Sequence, residues 1–105
     1  MITAIVKYTT PKSYSQQEIT GMMRFGAEKM FQDMPHLHSK QFCFDITTNE
    51  GVSIYLWDSR ASAEAFFNDA FMEQFQQSMG AVPTIEYYNT ILTVDNRKGD
   101  IMMGD

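Results

Sequence analysis

The stretch Gly51 to Phe67, GVSIYLWDSRASAEAFF, reads as an apolar strand running straight into a capped amphipathic helix. Within Val52 to Trp57, Ile54 and Leu56 point to one side and Tyr55 and Trp57 to the other. Asp58 or Ser59 supplies the helix cap. A strand that is apolar on both faces has to be covered on both, so the architecture turns on what does the covering.

The rest of the chain supplies the neighbours. Met1 to Thr10 is rich in β-formers, with Ile2, Ala4, Val6 and Tyr8 on one face, and Pro11-Lys12-Ser13 ends that strand. Ser15 and Glu18 have the spacing of a capping box, and a helix runs from there to about Asp33. Its apolar stripe is Ile19, Met22, Met23, Gly26, Ala27, Met30 and Met34. The chain holds nine methionines, which at this helical spacing read first as core filler and second as the plastic wall of a site for an apolar ligand. Gly26 reads as close packing of helix on sheet, the other reading being room left for a ligand. Pro35 stops the helix.

A second strand is expected from Lys40 to Thr47 with Phe42, Phe44 and Ile46 on one face, followed by a hairpin turn at Thr48 to Gly51. After the third strand, one helix is expected from Ser59 to Met79. Its stripe is Ala63, Phe66, Phe67, Ala70, Phe71, Phe75 and Met79, with a bend or break at Asn68-Asp69. Gly80 and Pro83 end it. A last long strand spans Thr84 to Val94. Asn96 to Asp105 is a tail with an apolar patch at Ile101-Met102-Met103.

The expected fold is α+β with the order βαββαβ, the ferredoxin-like plan: a four-stranded antiparallel sheet with two helices on one face. Residues 1–95 form the domain and 96–105 the tail. Two helices leave one face of the sheet bare. Yet the last strand is also apolar on both sides, with Ile85, Tyr87 and Ile91 opposed to Tyr88, Leu92 and Val94. The economical cover is the sheet of a second copy, stacked through a two-fold axis as a homodimer.

Composition removes several classes of function. The net charge is −5, and the eight basic residues are scattered, which argues against nucleic acid and against an anionic membrane surface. No window approaches the roughly 20 apolar residues of a membrane span. One cysteine and no signal-peptide pattern point to a cytoplasmic protein. His36 and His38 share a strand face, so a metal site with Cys43 or Asp45 is conceivable, but no recognised spacing completes it and none is assigned. Cys43 lacks an activating partner, and there is no G-x-S-x-G elbow and no phosphate-binding glycine loop. What remains is the aromatic content. Most of these rings are core, but tyrosines and tryptophans gathered together line small-molecule sites, and Arg24 on the first helix supplies a positive charge for the rim.

At Ile54-Tyr55-Leu56-Trp57-Asp58-Ser59 followed by Ala63-Glu64-Ala65-Phe66-Phe67, the chain resembles the antibiotic-biosynthesis-monooxygenase superfamily, and within it the small bacterial monooxygenase-like proteins of the YdhR type. The similarity extends over about residues 1 to 95. The resemblance implies a dimeric α+β barrel with a pocket between sheet and helices in each subunit. It implies a cofactor-independent monooxygenase acting on a small aromatic phenol or quinol. Trp57 occupies the family's aromatic position and is expected to shape the pocket. Tyr8 and His38 complete the expected catalytic set, and Tyr55, Tyr87, Arg24 and Phe71 are chosen as substrate-binding by residue type and position. Haem-degrading relatives carry a His on the second helix and an Asn on the first strand; this chain has neither. The alternatives are a non-catalytic ligand-binding or accessory dimer, or a cyclase or isomerase of the same fold.

Overall fold

The computed structural model describes residues 1–104; Asp105, the end of the expected tail, lies outside the described residues. Strand β1 is Ile2–Thr9, followed by helix α1, Gln16–Gly26, which runs on into a π-helical turn, Ala27–Phe31. Strands β2, Leu37–Asp45, and β3, Glu50–Trp57, form a hairpin. Helices α2, Arg60–Phe66, and α3, Asp69–Met79, lead to β4, Thr84–Asn89. Strands β5, Leu92–Asp95, and β6, Asp100–Met103, make a separate two-stranded hairpin.

The main sheet is antiparallel with the order β2-β3-β1-β4, an α+β arrangement consistent with the ferredoxin-like plan. Register follows alternation. Ile2, Ala4, Val6 and Tyr8 of β1 are buried on the face shared with Ser53, Tyr55 and Trp57 of β3, because a period of two places these residues together once Ile2 pairs with Trp57. The helices lie over this face. The other face carries Ile5, Val52, Ile54 and Leu56, each half-buried, with Ile5 opposite Ile54. At its edge Lys7 and Glu86 form an ion pair at 3.1 Å. No helix of the described residues is long and apolar enough to cross a membrane.

Local chemistry sets the helix ends. The capping box forms as expected: the Glu18 amide donates to Ser15 Oγ at 3.1 Å, and the Ser15 amide donates to Glu18 Oε1 at 3.0 Å. Ser59, not Asp58, caps α2, its Oγ accepting from the Ser62 amide. Asp58 instead pairs with His36 Nδ1 at 2.6 Å. Gly80, at φ 72°, closes α3 in the left-handed conformation that suits glycine.

The structure gives the form of one expected break and corrects three other expectations. The helix from Ser59 to Met79 does break at Asn68-Asp69: Asn68 ends α2 by donating to the Ala65 carbonyl, and starts α3 by accepting from the Phe71 amide. The strand from Thr84 to Val94 stops at Asn89, and its remainder pairs with the tail as β5–β6. That hairpin is held to the chain start, where the Thr90 amide donates to the Met1 carbonyl at 3.0 Å and the Met1 ammonium donates to the Gly104 carbonyl. Strand β2 starts at Leu37 rather than Lys40, with a bulge between Leu37 and Ser39, and it ends at Asp45, leaving Ile46 exposed in the turn. Finally, α1 does not close onto the sheet. Ile19 is its one buried residue, while Met22 and Met30 are exposed, and a Cβ on Gly26 would meet nothing within 4 Å. The glycine therefore marks open space, not a tight helix–sheet contact.

Candidate functional site

The helix-facing side of the sheet is packed at one end and hollow at the other. At the packed end, Ile2, Ala4, Tyr55, Trp57 and Ala63 form the core with Phe66, Phe67, Leu37 and Tyr87 against them. The hollow end holds a cavity of ≈ 910 Å³. Its floor is the sheet: Tyr8, Lys40, Phe42, Ser53 and Tyr55. One wall is α1 and the π-turn, with Met22, Met23, Gly26, Met30 and Phe31; the other is α2 and α3, with Phe66, Phe71, Phe75 and Met79. This is ample volume for a drug-sized molecule, in mainly apolar and aromatic surroundings with a few polar groups.

Lys40 is the distinctive group. It pairs with Tyr55 across β2 and β3 and shares a face with Phe42 and Phe44. Its Nζ lies 3.5 Å from the centroid of the Phe31 ring, 3.9 Å from Phe42 and 4.5 Å from Tyr55. Among the described residues, no carboxylate lines the cavity. Burial pushes the amine down to about 7, since an ammonium is poorly solvated there. The three ring faces act the other way, attracting the cation. The balance leaves an amine that exchanges its proton near neutral pH.

Two phenols accompany it. Burial pushes Tyr8 up to about 12. It raises Tyr55 further, with the neighbouring Tyr8 phenol adding to the effect. Both hydroxyls therefore stay protonated at neutral pH and, among the described residues, make no hydrogen bond that contributes to the shift. Tyr8 sits where it does because Gly51 is opposite it in the ladder, and a Cβ there would fall inside the space of the Tyr8 ring. Phe75 meets the ring edge-on at 4.8 Å from the other side. Gly51→Ala is therefore expected to drive Tyr8 out of the cavity floor. The cost is about 1–3 kcal/mol of stability, read from a denaturant midpoint, with weakened ligand binding that Tyr8→Phe reproduces only in part.

The expected site residues divide. Tyr8, Tyr55 and Phe71 line the cavity together. Trp57, 2% exposed, lies in the packed end, stacked on Tyr55 with centroids 5.9 Å apart and planes within 8°; its Nε1 is buried with no acceptor. Tyr87 packs on Phe67 and lies under the Arg60 guanidinium, 5.0 Å from the ring centroid. His38 sits exposed at the β2 bulge. Arg24 is exposed and bound to Glu28 at 2.9 Å, beside a shallower depression under α1 that also includes Cys43. These four are not on the cavity wall. His36, paired with Asp58, and His38 do not converge on Cys43 or Asp45, and no group of three such ligands gathers among the described residues.

Lys40 was missed because a lysine at a strand start reads as solvated. The signal was its parity with Phe42 and Phe44, which places it on their face. Lys40, Tyr8 and Tyr55 thus define the class: an α+β protein with an aromatic cavity and a titrating amine in it. Compared with known proteins, the chain matches no family model and no curated protein.

Proposed function

We propose that the chain is a cofactor-independent monooxygenase that binds a small aromatic phenol or quinol in the cavity between sheet and helices and works as a homodimer. What carries the reading is the Lys40 amine on the cavity floor, enclosed by Phe31, Phe42 and Tyr55. The free amine takes the acidic proton of the substrate, and the resulting ammonium stays beside the substrate anion in low dielectric. Tyr8 and Tyr55 donate to its oxygens. The anion passes one electron to O2, and recombination of the pair forms the C–O bond of a hydroperoxide. The peroxide anion takes back the proton and the hydroperoxide loses water, so a phenol whose keto tautomer carries a CH2 centre, plus O2, becomes a carbonyl plus H2O. On the family resemblance, favouring the substrate anion was expected of His38 or Arg24; here Lys40 takes that part. The resemblance to the YdhR-type monooxygenase-like proteins supports the same chemistry.

Two surfaces support the dimer and its barrel. One is the uncovered sheet face with Ile5, Val52, Ile54 and Leu56. The other is the β5–β6 hairpin, where Leu92, Val94, Ile101 and Met103 are 48%, 57%, 67% and 59% exposed. Sedimentation at micromolar concentration is expected to give twice the chain mass, and Ile54→Lys a monomer.

The decisive test is O2 uptake with an anthrone- or quinol-type compound. Lys40→Met is expected to lower turnover by a factor of about 10² or more, the usual contribution of a general base. Trp57 is the single tryptophan and stacks behind Tyr55, so its fluorescence reports binding separately. Binding with no oxygen consumed overturns the oxygenase reading and leaves a ligand-binding protein. Turnover under anaerobic conditions identifies a cyclase or isomerase instead.

A further inference from the structure

We propose that Lys40 also captures carbonyl compounds: a small apolar aldehyde in the cavity condenses with Nζ to form an imine. The amine attacks the carbonyl carbon, the carbinolamine loses its oxygen as water, and RCHO plus the lysine amine gives RCH=N–Lys plus H2O. No other reactant is needed.

Three features of the site carry this. The first is position: Nζ lies on the cavity floor, and among the described residues no carboxylate lines the cavity to hold it as an ion pair. The second is the ring set. Phe31, Phe42 and Tyr55 surround Nζ, and their faces favour the protonated imine, which is itself a cation. The third is a donor set. Tyr8, Ser53 and Tyr55 line the same floor, and their hydroxyls are hydrogen-bond donors for the departing oxygen. A free-amine form near neutral pH agrees with these features. The other titratable groups on the cavity wall are Tyr8, Tyr55 and Lys29. Lys29 lines the same cavity but is exposed, which makes it an internal control. Lys7 is paired with Glu86 on the opposite face of the sheet.

The inference rests on the cavity admitting an apolar ligand, as the proposed function does, but not on oxygenation. The full chain is incubated at pH 7 with cinnamaldehyde and sodium cyanoborohydride, and adducts are mapped by peptide mass. An amine half free at pH 7 offers roughly a thousandfold more neutral base than an ordinary lysine, so Lys40 is expected to be modified at least about 30-fold faster than Lys7, Lys12, Lys29 or Lys98. The rate should reach half its maximum near pH 7. Lys40→Arg, checked for folding by circular dichroism, should give no adduct at that position and leave the slow labelling elsewhere unchanged. Trp57 fluorescence tells two failures apart. Probe bound with Lys40 unmodified overturns carbonyl capture alone. Probe neither bound nor attached overturns both this inference and the ligand-binding reading of the cavity.

Discussion

Replacing Lys40 with methionine raises the melting temperature at pH 7 and removes most of the rise in stability expected between pH 7 and pH 10. The sign follows from proton counting. The Lys40 amine holds its proton only up to about pH 7 in the folded chain, whereas an unfolded lysine holds it to about 10.4. Between these values the unfolded chain binds more protons, so stability increases with pH. Below pH 7 both states are charged and the burial penalty is felt in full. Its upper bound is on the order of 5 kcal/mol, from the interval between about 7 in the folded chain and about 10.4 in the unfolded one at 1.36 kcal/mol per pH unit. The ring faces around Nζ and residual solvent access reduce it, so a gain of about 2 kcal/mol is expected from the substitution, or about 10 °C for a domain of this size. Above pH 10 the tyrosines reverse the trend. Tyr8 and Tyr55 keep their protons in the folded chain after an unfolded tyrosine has lost its own, and stability falls as pH rises. Lys40→Met should keep this fall and lose the preceding rise. Thermal melts at intervals from pH 6 to pH 11 check both limbs. A native melting temperature unchanged from pH 7 to pH 10 would mean that Lys40 is not desolvated. The same substitution costs the proposed activity, so stability and function oppose each other at this residue.

The second large effect is at Trp57. Trp57→Ala is expected to cost about 3–5 kcal/mol, a large share of the 5–15 kcal/mol that holds a typical domain together. The ring is 2% exposed, stacked on Tyr55 and met edge-on by Phe67 at 5.9 Å. Its loss opens a void at the packed end of the sheet and loosens the support behind Tyr55. Trp57→Phe separates packing from chemistry. It keeps most of the apolar volume and removes an indole N–H that has no acceptor, so it is expected to cost about 1–2 kcal/mol and leave ligand affinity within about threefold. A loss of binding or turnover far beyond that, with a stable fold, would place Trp57 in the chemistry and not only in the core. Urea denaturation and ligand titration on the two variants supply the comparison.

Much of the architecture was legible because its causes are local. Alternation put Ile2, Ala4, Val6 and Tyr8 on one face, and the Ser15–Glu18 box and Gly80 marked helix ends where they occur. Tyr8, Tyr55 and Phe71 were chosen by residue type and position, and they do meet in one cavity. The break at Asn68 was legible as a bend or break, but its form was not: one side chain caps two helices at once. The bulge at His38 left no mark in residue types, and it turns that histidine outward while Lys40, two residues on, faces in.

The sequence by itself determined which residues share a face, where the helices start and stop, and that the sheet is apolar on both sides, since each of these follows from periods and caps spanning a few residues. Only the tertiary structure decided that the methionine stripe of α1 borders open space, that Trp57 belongs to the packed end, and that a lysine lies among three rings. Those outcomes depend on the separation of the layers. Contacts between distant residues set it: Phe31 meets Phe66 at 5.8 Å, and Phe66 meets Trp57 at 5.2 Å. Phe31 and Phe66 belong to the cavity wall and Trp57 to the packed end, so this chain of rings joins the two ends of the sheet, and no local pattern encodes those distances.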